Sequence, residues 1–391
     1  MPRTIIHLDL DAFFCAVEEQ RDPSLHGKPF AVGGQPDQRG VVASCSYAAR
    51  RFGVRSAMPT AHALRLCPQL LIVPPRHKAY AEASRQVMAR LHALTPLVEQ
   101  ISIDEAFLDV IDLPETGQVL ARRLQATIRQ ELGLPCSLGV AGNKLVAKVA
   151  TDVGKASSKS DGPPQAILAV PPGQEAAFLA PLATEALWGV GPKTATRLAE
   201  MGIRTIGDLA RWPEEALVRH FGKVGRELAR RARGINDSPL VTERVEKSVS
   251  QETTFARDIG DGEALRRTLR AQAEAVARRL RRSGLSGGTV SIKVRWPDFI
   301  TLTRQTMLHQ PTDQEGEIYA AAVRLLESVW QAGQPVRLIG VGVSGLGPPL
   351  RQLALWDPAA EKQRQLQDTL DVLRARFGDG VVRRASELGE Q

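Results

Sequence analysis

Residues 4–10 read TIIHLDL, and their pattern is the starting point for predicting the fold of the first 110 residues. Apolar and polar side chains alternate along it. The apolar residues Ile6, Leu8 and Leu10 would therefore share one face of a strand, and the polar residues between them the other face. The pattern predicts a half-buried β-strand that ends in acidic residues.

Strands and helices should alternate after this first strand. Helices are predicted over Phe13–Gln20, Tyr80–Leu94 and Thr116–Leu132 and from about Asn143, and strands over Val98–Ile103, Ala106–Val110 and Ser137–Val140. Turn-forming residues mark off an inserted subdomain, Phe30–Pro75, with strands at Phe30–Val32 and Val41–Ala43 and helices of its own. Two βαβ-like halves with adjacent central strands are typical of the split βαβ, ferredoxin-like fold.

The rest of the chain divides into a helical region and a second small α/β domain. Gly154–Pro164 is predicted to be a polar loop, the helical region ends near Gly234, and Asn236–Ser250 has the composition of a linker. The elements expected beyond it are strands Ser250–Phe255, Thr289–Arg295, Thr301–Met307 and Val336–Ser344, and helices Glu263–Arg282, Gln314–Ala332 and Lys362–Phe377. The predicted fold class is thus α+β and multidomain.

Length and composition exclude several classes of protein. The 391 residues suffice for two to four domains, and 43% hydrophobic with 24% charged residues is typical of globular rather than disordered or fibrous chains. No apolar run approaches the roughly 18 residues needed to span a bilayer, so a cytoplasmic protein without membrane contact is expected. The four cysteines lack paired spacing, which argues against disulfides and a zinc site.

The charge balance is basic, with a formal net charge of +8 and 40 arginines against 11 lysines. Guanidinium groups bind phosphate oxygens in a bidentate manner, so this balance suits a nucleic-acid partner. A GC-rich genome would also enrich arginine, and composition alone does not separate the two interpretations.

Acidic residues stand where predicted strands end. Asp9 and Asp11 close the first strand, and Asp104-Glu105 lies in the turn between two central strands. Carboxylates from distant segments could meet at one sheet edge, and hard ions such as Mg²⁺ prefer oxygen ligands of this kind. The alternative for any one pair is an ordinary solvated turn.

Three sequence strings carry a family resemblance. They are IHLDLDAFF at 6–14, SIDEAFLD at 102–109 and SLGVAGNKLVAK at 137–148. The first two resemble the acidic motifs of Y-family, translesion DNA polymerases, and the third resembles a further motif of that family. The order of segments over roughly residues 4–345 is similar to the bacterial DNA polymerase IV branch.

The resemblance implies a ferredoxin-like palm with inserted small fingers, a helical thumb with a helix-hairpin-helix, and a C-terminal α/β little finger. The expected boundaries are residues 1–24 and 76–168 for the palm, 25–75 for the fingers, 169–235 for the thumb, 236–249 for a linker, 250–346 for the little finger and 347–391 for a tail.

The resemblance also implies a template-directed polymerase that copies damaged templates with low fidelity. Asp9, Asp104 and Glu105 would be catalytic and would bind two Mg²⁺ ions, with the Leu10 carbonyl as a further ligand. The substrates would be primer-template DNA and deoxynucleoside triphosphates. In such a reaction the protein mainly positions groups and stabilises charge.

The residues expected to bind the nucleotide are carried over in the same way. They are Phe13, Phe14, Ser44, Tyr47, Arg50 and Lys155. Phe14 falls at the steric-gate position, where an aromatic ring occupies the space of a ribose 2′-hydroxyl. The segment that carries the triphosphate lysine is longer here than is usual in the family. Lys155 keeps the spacing from Lys148, whereas Lys159 keeps the local string, and Lys155 is favoured.

DNA contacts are expected from glycine-rich helix starts, because backbone N–H groups and a helix N-terminus favour a phosphate. The residues concerned are Gly189, Gly191, Lys193 and Thr194, with Lys223 in a weaker second copy. The helix Glu263–Arg282 carries seven arginines, and either tracks phosphates or is a solvated helix face.

A short peptide in the tail resembles the segment by which bacterial polymerases dock on the sliding clamp. It consists of Gln352, Leu353, Leu355 and Trp356, where Trp356 replaces the more usual phenylalanine. The chain is expected to be a monomer. The alternatives are a non-catalytic relative that bridges the clamp and bypass proteins, and a ferredoxin-like nucleotidyl cyclase. The intact carboxylates argue against the first alternative, and the hairpin segment and the basic second half argue against the second.

Overall fold

The computed structural model describes residues 3–243, 245–349, 358–378 and 381. The chain divides into two compact units, residues 1–244 and 245–391. No helix among these described segments is long and apolar enough to cross a membrane.

The first unit contains eight strands and eleven α-helices among its described residues. In chain order they are β1 (Ile5–Leu10), α1 (Phe13–Arg21), β2 (Phe30–Gly33), β3 (Val42–Cys45), α2 (Tyr47–Arg50), α3 (Thr60–Leu66), β4 (Leu71–Val73), α4 (His77–Leu94), β5 (Val98–Gln100), β6 (Glu105–Asp109), α5 (Gly117–Leu132), β7 (Cys136–Ala141), α6 (Lys144–Ser157), β8 (Ile167–Ala169), α7 (Glu175–Leu179), α8 (Pro192–Glu200), α9 (Ile206–Arg211), α10 (Glu214–Phe221) and α11 (Lys223–Ala232).

A five-stranded sheet of order β5-β6-β1-β7-β8 forms the centre of this unit. β1 pairs antiparallel with both β6 and β7, and β8 runs parallel to β7. The adjacent central strands of the predicted ferredoxin-like pattern are therefore confirmed. The sequence analysis did not predict β8.

β1 is buried on both faces, although its alternating pattern predicts burial on one face only. Leu8 belongs to a core shared with α1, α4 and α5, while Ile5 belongs to a second core that includes α6 and the later helices. His7, on the face expected to be polar, is fully buried. The polar residues of β1 therefore face α6 rather than solvent.

α6 continues through Ser157, so the prediction of a polar loop from Gly154 was wrong for its first four residues. Asn143 caps the helix by accepting a hydrogen bond from the Val146 N–H at 3.0 Å. A Cβ at Gly154 would lie 3.2 Å from Ala166 Cβ. Close packing, rather than loop formation, accounts for this glycine.

The inserted segment forms a three-stranded sheet of order β3-β2-β4 with a small core of its own. This matches the predicted subdomain and its first strand. The second strand begins at Val42 and ends at Cys45, slightly later than predicted. All four cysteines of the chain are buried free thiols, which agrees with the expectation of no disulfide.

The second unit consists of one sheet and its helices. Its elements are β9 (Ser248–Ile259), α12 (Gly262–Arg282), β10 (Ser286–Arg295), β11 (Thr301–Thr312), α13 (Glu315–Glu327), β12 (Val336–Gly347) and α14 (Pro358–Phe377). The sheet is antiparallel with order β11-β10-β12-β9, and α12 and α13 share its core. The helix predicted to reach Ala332 ends at Glu327. The chain turns after it, and this turn is held by the Trp330 indole N–H, which donates to the Gln334 carbonyl at 2.8 Å.

Several arginines of α12 have partners inside the second unit. Arg281 is paired with Asp371 of α14 at 2.7 Å, Arg279 donates to the Ser250 carbonyl, and the Arg270 guanidinium lies 4.3 Å from the centroid of the Tyr319 ring. Part of the basic charge of this helix therefore serves internal contacts.

The start of the segment expected to form the linker is held against the first unit. Arg3 donates to the Ser238 carbonyl at 3.1 Å, and Lys144 donates to the Pro239 carbonyl at 2.8 Å. Glu99, which is paired with Lys144 at 2.8 Å, accepts a hydrogen bond from the Val241 N–H at 3.0 Å. The buried Glu99–Lys144 ion pair thus contacts this segment from both partners.

Candidate active site

Backbone pairing brings the predicted catalytic residues together at one end of β1. Asp9 lies directly opposite Glu105 in the β1–β6 register. The N–H of Leu10 donates to the Asp104 carbonyl at 3.0 Å, which continues the pairing by one residue. All four predicted metal-site residues are therefore neighbours in the structure.

The Asp104 side chain is held within its own turn. Ser102 Oγ donates to Asp104 Oδ1 at 2.6 Å and accepts a hydrogen bond from the Glu105 N–H at 3.0 Å. This turn replaces the last residues of the strand predicted over 98–103, which ends at Gln100. Ser102 was not among the predicted site residues.

Two lysines of α6 contact the carboxylates. Lys155 Nζ lies 2.6 Å from Asp9 Oδ1 and 3.1 Å from Asp11 Oδ1, and Lys148 Nζ lies 3.1 and 3.2 Å from the two carboxylate oxygens of Glu105. Since the two lysines are seven residues apart, they project from similar sides of the helix.

The electrostatics of the two opposed carboxylates differ. Burial raises the pKa of Asp9, against the effect of Lys155, and the charge of Glu105 adds to the rise. Burial also opposes ionisation of Glu105, but its interaction with His7 and the charge of Lys148 outweigh it and lower its pKa to about 2. Burial likewise opposes the charge of Lys155, yet Asp9 and Asp11 raise the pKa of this ammonium. Asp9 is thus a partly buried carboxylate that additional positive charge would stabilise.

No three His, Cys, Asp or Glu side chains within the described segments converge tightly enough to form a ready metal site. The donor set is nevertheless all oxygen, as Mg²⁺ prefers. Asp9 and Glu105 both face positively charged groups, and burial raises the pKa of Asp9 despite the nearby ammonium of Lys155. These residues fit a divalent cation once the ammonium groups of Lys148 and Lys155 move away from the carboxylate oxygens.

Asp11 is a fully buried residue whose part the sequence analysis left undefined. Its carboxylate accepts hydrogen bonds from Ser137 Oγ at 2.9 and 3.0 Å and from the Gln165 N–H at 3.0 Å. Together with Lys155, these bonds tie the end of β1 to β7 and to the segment before β8. The Asp-x-Asp spacing was the only signal for it in the sequence.

Tyr47 and Arg50 lie together on α2, with the Arg50 guanidinium 4.6 Å from the centroid of the Tyr47 ring. Burial raises the pKa of the Tyr47 phenol, and the negative charge of Asp11 adds to the shift. The phenol therefore lies within electrostatic range of the carboxylates. Ser44 is buried beside Cys15, whose pKa burial raises to about 12.

Phe14 is half-buried and stacks on Tyr80 of α4, with ring centroids 4.2 Å apart and planes 12° apart. Phe13 is buried in the core beside both rings. The Tyr80 hydroxyl donates to the buried Glu18 at 2.5 Å, and Arg76 also pairs with this carboxylate. Neither Tyr80 nor Glu18 was among the predicted site residues, because their contact joins segments about sixty residues apart and no motif marks it.

The structure separates the two candidate triphosphate lysines. Lys155 lies in the last turn of α6 against the carboxylates, whereas Lys159 is exposed in the following loop. In that loop Asp161 is paired with Arg51 at 3.4 Å.

The residues predicted to contact DNA lie at the starts of α8 and α11. Gly191 caps α8, Lys193 is exposed, and the N–H of Thr194 is bonded to the Gly191 carbonyl at 3.0 Å. Gly189 has a φ of 97°, and a Cβ there would lie 2.6 Å from an Arg231 nitrogen. Lys223 is exposed at the start of α11.

The predicted clamp peptide lies outside the described residues. This applies to all four of its members, Gln352, Leu353, Leu355 and Trp356.

Family models match three parts of the chain. The model described as the impB/mucB/samB family matches residues 8–152, its C-terminal domain matches residues 246–366, and a model described as the thumb domain of DNA polymerase-iota matches residues 185–236.

Curated relatives match over most of their length. The DNA polymerase IV of Desulfatibacillum aliphaticivorans is 42% identical over 98% of this chain and 96% of its own. That of Streptomyces coelicolor is 45% identical over 88% of this chain and 71% of its own. That of Alkalilimnicola ehrlichii is 42% identical over 90% of this chain and 99% of its own.

Among solved structures, a Y-family DNA polymerase chimera superposes with a TM-score of 0.79 at 26% identity. The match covers 88% of this chain and all of the chimera. It agrees with the predicted fold class. With the sheet, the opposed carboxylates and these relatives in place, the chain belongs to the Y family of DNA polymerases, in the DNA polymerase IV branch, and is a DNA-directed DNA polymerase acting on primer-template DNA and deoxynucleoside triphosphates.

Proposed function

We propose that the chain extends primers by a two-metal mechanism at Asp9, Asp104 and Glu105. The observation that carries the proposal is the direct pairing of Asp9 with Glu105 at the end of β1, beside the Asp104 turn. The three carboxylates and the Leu10 carbonyl would hold two Mg²⁺ ions. Ions bound there would supply the charge that activates the primer 3′-hydroxyl and stabilises the departing oxygens.

The reaction joins the primer 3′-oxygen to the α-phosphorus of the incoming nucleotide. The bond from that phosphorus to the bridging oxygen breaks, pyrophosphate leaves, and the hydroxyl proton is released. The role proposed for the side chains around the site is to orient the triphosphate and neutralise its charge. Tyr47, Arg50 and Lys155 are suited to this, because a phenol, a guanidinium and an ammonium all donate to phosphate oxygens.

The sugar and the base are bounded by other residues. Phe14, held by its stack on Tyr80, would exclude a ribose 2′-hydroxyl. The buried residues Phe13 and Ser44 would support the nucleotide-binding residues from behind. The inserted three-stranded subdomain is small, which supports an open site that copies damaged templates with low fidelity.

DNA and the clamp complete the proposed partners. Gly189, Gly191, Lys193, Thr194 and Lys223 would contact the phosphate backbone at two helix N-termini. The peptide Gln352–Trp356 would dock on the sliding clamp, and the protein would work as a monomer. The domain boundaries predicted from the sequence are retained as part of this proposal.

The test is primer extension under single-turnover conditions with Mg²⁺. The wild type should extend a primer on an undamaged template and on one that carries an abasic site, and Asp104→Ala/Glu105→Ala should extend neither. Asp112→Ala removes an exposed carboxylate from the same unit and should extend both. A folded wild type that binds primer-template without extending it would favour the non-catalytic bridging alternative.

A further inference from the structure

His7 is a fully buried imidazole in the middle of the central strand. In the sheet register it stands between Phe107 of β6 and Gly139 of β7. Its Nδ1 lies 2.8 Å from Thr151 Oγ1 of α6. Its Nε2 has no hydrogen-bond partner among the described residues and lies 3.9 Å from Glu105 Oε2. One ring nitrogen is therefore fixed, and the other faces the proposed catalytic carboxylate.

Gly139 lets α6 come close enough for Thr151 to reach the ring. A Cβ at Gly139 would lie 2.0 Å from the Ala147 carbonyl and 2.7 Å from Thr151 Oγ1. Because no side chain fits there, the helix backbone packs directly on β7. The Thr151 hydroxyl is buried in this contact, and its bond to His7 is shielded from water.

The surroundings determine which nitrogen carries the hydrogen. A lone pair on Nε2 would point at the negative oxygens of Glu105, which is unfavourable, so this nitrogen is assigned the hydrogen. In the neutral ring Nδ1 is then an acceptor. It is the acceptor nearest to the Thr151 hydroxyl, at 2.8 Å against 3.2 Å for the Ala147 carbonyl and 3.4 Å for the His7 carbonyl, so the hydroxyl is assigned to donate to it. Thr151 is therefore hydrogen-bonded to His7, and the Nε2–H of His7 is directed at Glu105 across 3.9 Å, as a dipole facing a charge rather than as a hydrogen bond.

The ring and the carboxylate are each restrained from a second side. The His7 and Phe107 rings are 4.7 Å apart at an angle of 51°, which limits rotation of the imidazole. Lys148 Nζ holds both oxygens of Glu105 at 3.1 and 3.2 Å. The Glu105 carboxylate thus lies between the ammonium of Lys148 and the Nε2 atom of His7.

We propose that His7 and Thr151 are positioning residues that orient the Glu105 carboxylate for the divalent cation. Thr151 fixes the orientation of the imidazole, and the imidazole limits the rotation of the carboxylate. This inference rests on the proposed function, because it needs Glu105 to be a metal ligand. Mutation of a group that orients a metal ligand in this way typically lowers metal affinity or activity by about 10–100-fold.

The experiment measures metal binding separately from turnover. The probe is Mn²⁺, followed by the electron paramagnetic resonance of the free ion, in the complex of full-length protein with a dideoxy-terminated primer-template and the correct nucleotide. The variants are Thr151→Val, which keeps the shape but loses the hydroxyl, Thr151→Ser, which keeps the hydroxyl, and His7→Phe. Single-turnover insertion with Mg²⁺ gives the maximal rate and the nucleotide affinity.

Thr151→Val and His7→Phe should weaken Mn²⁺ binding and slow insertion by roughly tenfold each, while nucleotide affinity stays near wild type. Thr151→Ser should restore both quantities. If His7→Phe fails to fold, Thr151→Val decides the question, because it preserves the packed volume. Wild-type Mn²⁺ affinity and insertion rate in Thr151→Val would overturn the inference.

The failure of the proposed function gives a different result. A wild type that neither binds Mn²⁺ in the complex nor inserts a nucleotide would overturn both proposals. A wild type that does both, together with an unchanged Thr151→Val variant, overturns only the positioning role.

Discussion

The ammonium of Lys155 lies 2.6 Å from the Oδ1 of Asp9, so the last turn of α6 reaches the end of the central strand. We expect Lys155→Ala to lower kcat/KM for the incoming nucleotide by about 10–100-fold, because a hydrogen bond to a charged group contributes about 1.5–3 kcal/mol. Lys155→Arg keeps the charge and should lose less. Single-nucleotide insertion kinetics measure both effects.

Lys159→Ala is the matched control, since Lys159 is exposed and only four residues away. It should leave insertion within about twofold of wild type, because an exposed charge contributes little. A large loss in Lys159→Ala with none in Lys155→Ala would show that the loop lysine binds the triphosphate.

The stack of Phe14 on Tyr80 leads to a prediction about sugar discrimination. Phe14→Ala should admit ribonucleotides much more readily, because the ring that fills the 2′ position is removed. Tyr80→Phe keeps the stack and should leave discrimination unchanged. Single-turnover insertion of a matched ribonucleotide and deoxynucleotide measures the ratio, and an unchanged ratio in Phe14→Ala would refute the steric-gate assignment.

The Tyr80 hydroxyl leads to a separate prediction about stability. It donates to the buried Glu18 at 2.5 Å, and its removal leaves a buried carboxylate short of a donor. Tyr80→Phe should destabilise the first unit by about 1–3 kcal/mol. Calorimetry should show its melting temperature falling by about 2–4 °C per kcal/mol. An unchanged melting temperature would mean that Arg76 alone satisfies Glu18.

The buried pair of Glu99 and Lys144 is expected to hold the segment that leaves the first unit. Lys144→Met should destabilise that unit by about 3–5 kcal/mol, because it leaves an uncompensated buried charge. It should also speed proteolysis around residues 239–241, because the pair contacts the backbone at Pro239 and Val241. The double variant Glu99→Leu/Lys144→Met should recover stability but not protection from proteolysis. Equal protection in all three proteins would contradict this role.

The tail peptide gives a prediction about the clamp. Leu355→Ala/Trp356→Ala should abolish clamp binding without altering primer extension in the absence of the clamp, because apolar anchors of this kind carry most of a peptide's affinity. Binding to purified clamp measures the effect. Unaltered affinity in the double variant would exclude the peptide as the docking segment.

The central topology and the opposed carboxylates could be predicted from the sequence, because they depend on local patterns and on motif spacing. The alternation in residues 4–10 predicted β1, and the acidic turn at Asp104-Glu105 predicted which strand ends would meet. What the alternation could not show was that α6 covers the polar face of β1, so His7 looked exposed and proved to be buried.

Side-chain contacts between distant segments that no sequence motif marks could not be predicted. Glu18 lies on the nine-residue helix α1, and only the fold brings Arg76 and Tyr80 to it. The end of α6 was misjudged because Gly154 and the serines after it are typical of loops, whereas packing against Ala166 decided the outcome. Strand β8 was missed because it has only three residues, all of them half-buried.

The glycine at position 139 affects more than one contact. Lys148, Thr151 and Lys155 all project from α6, and the missing side chain at Gly139 sets how closely that helix approaches the sheet. The positions of all three groups relative to the sheet therefore depend on one distance, that between α6 and β7. Even one methyl group at position 139 would displace them together. A substitution at one of these three positions changes one group, whereas a substitution at Gly139 would change the distance of all three from the carboxylates.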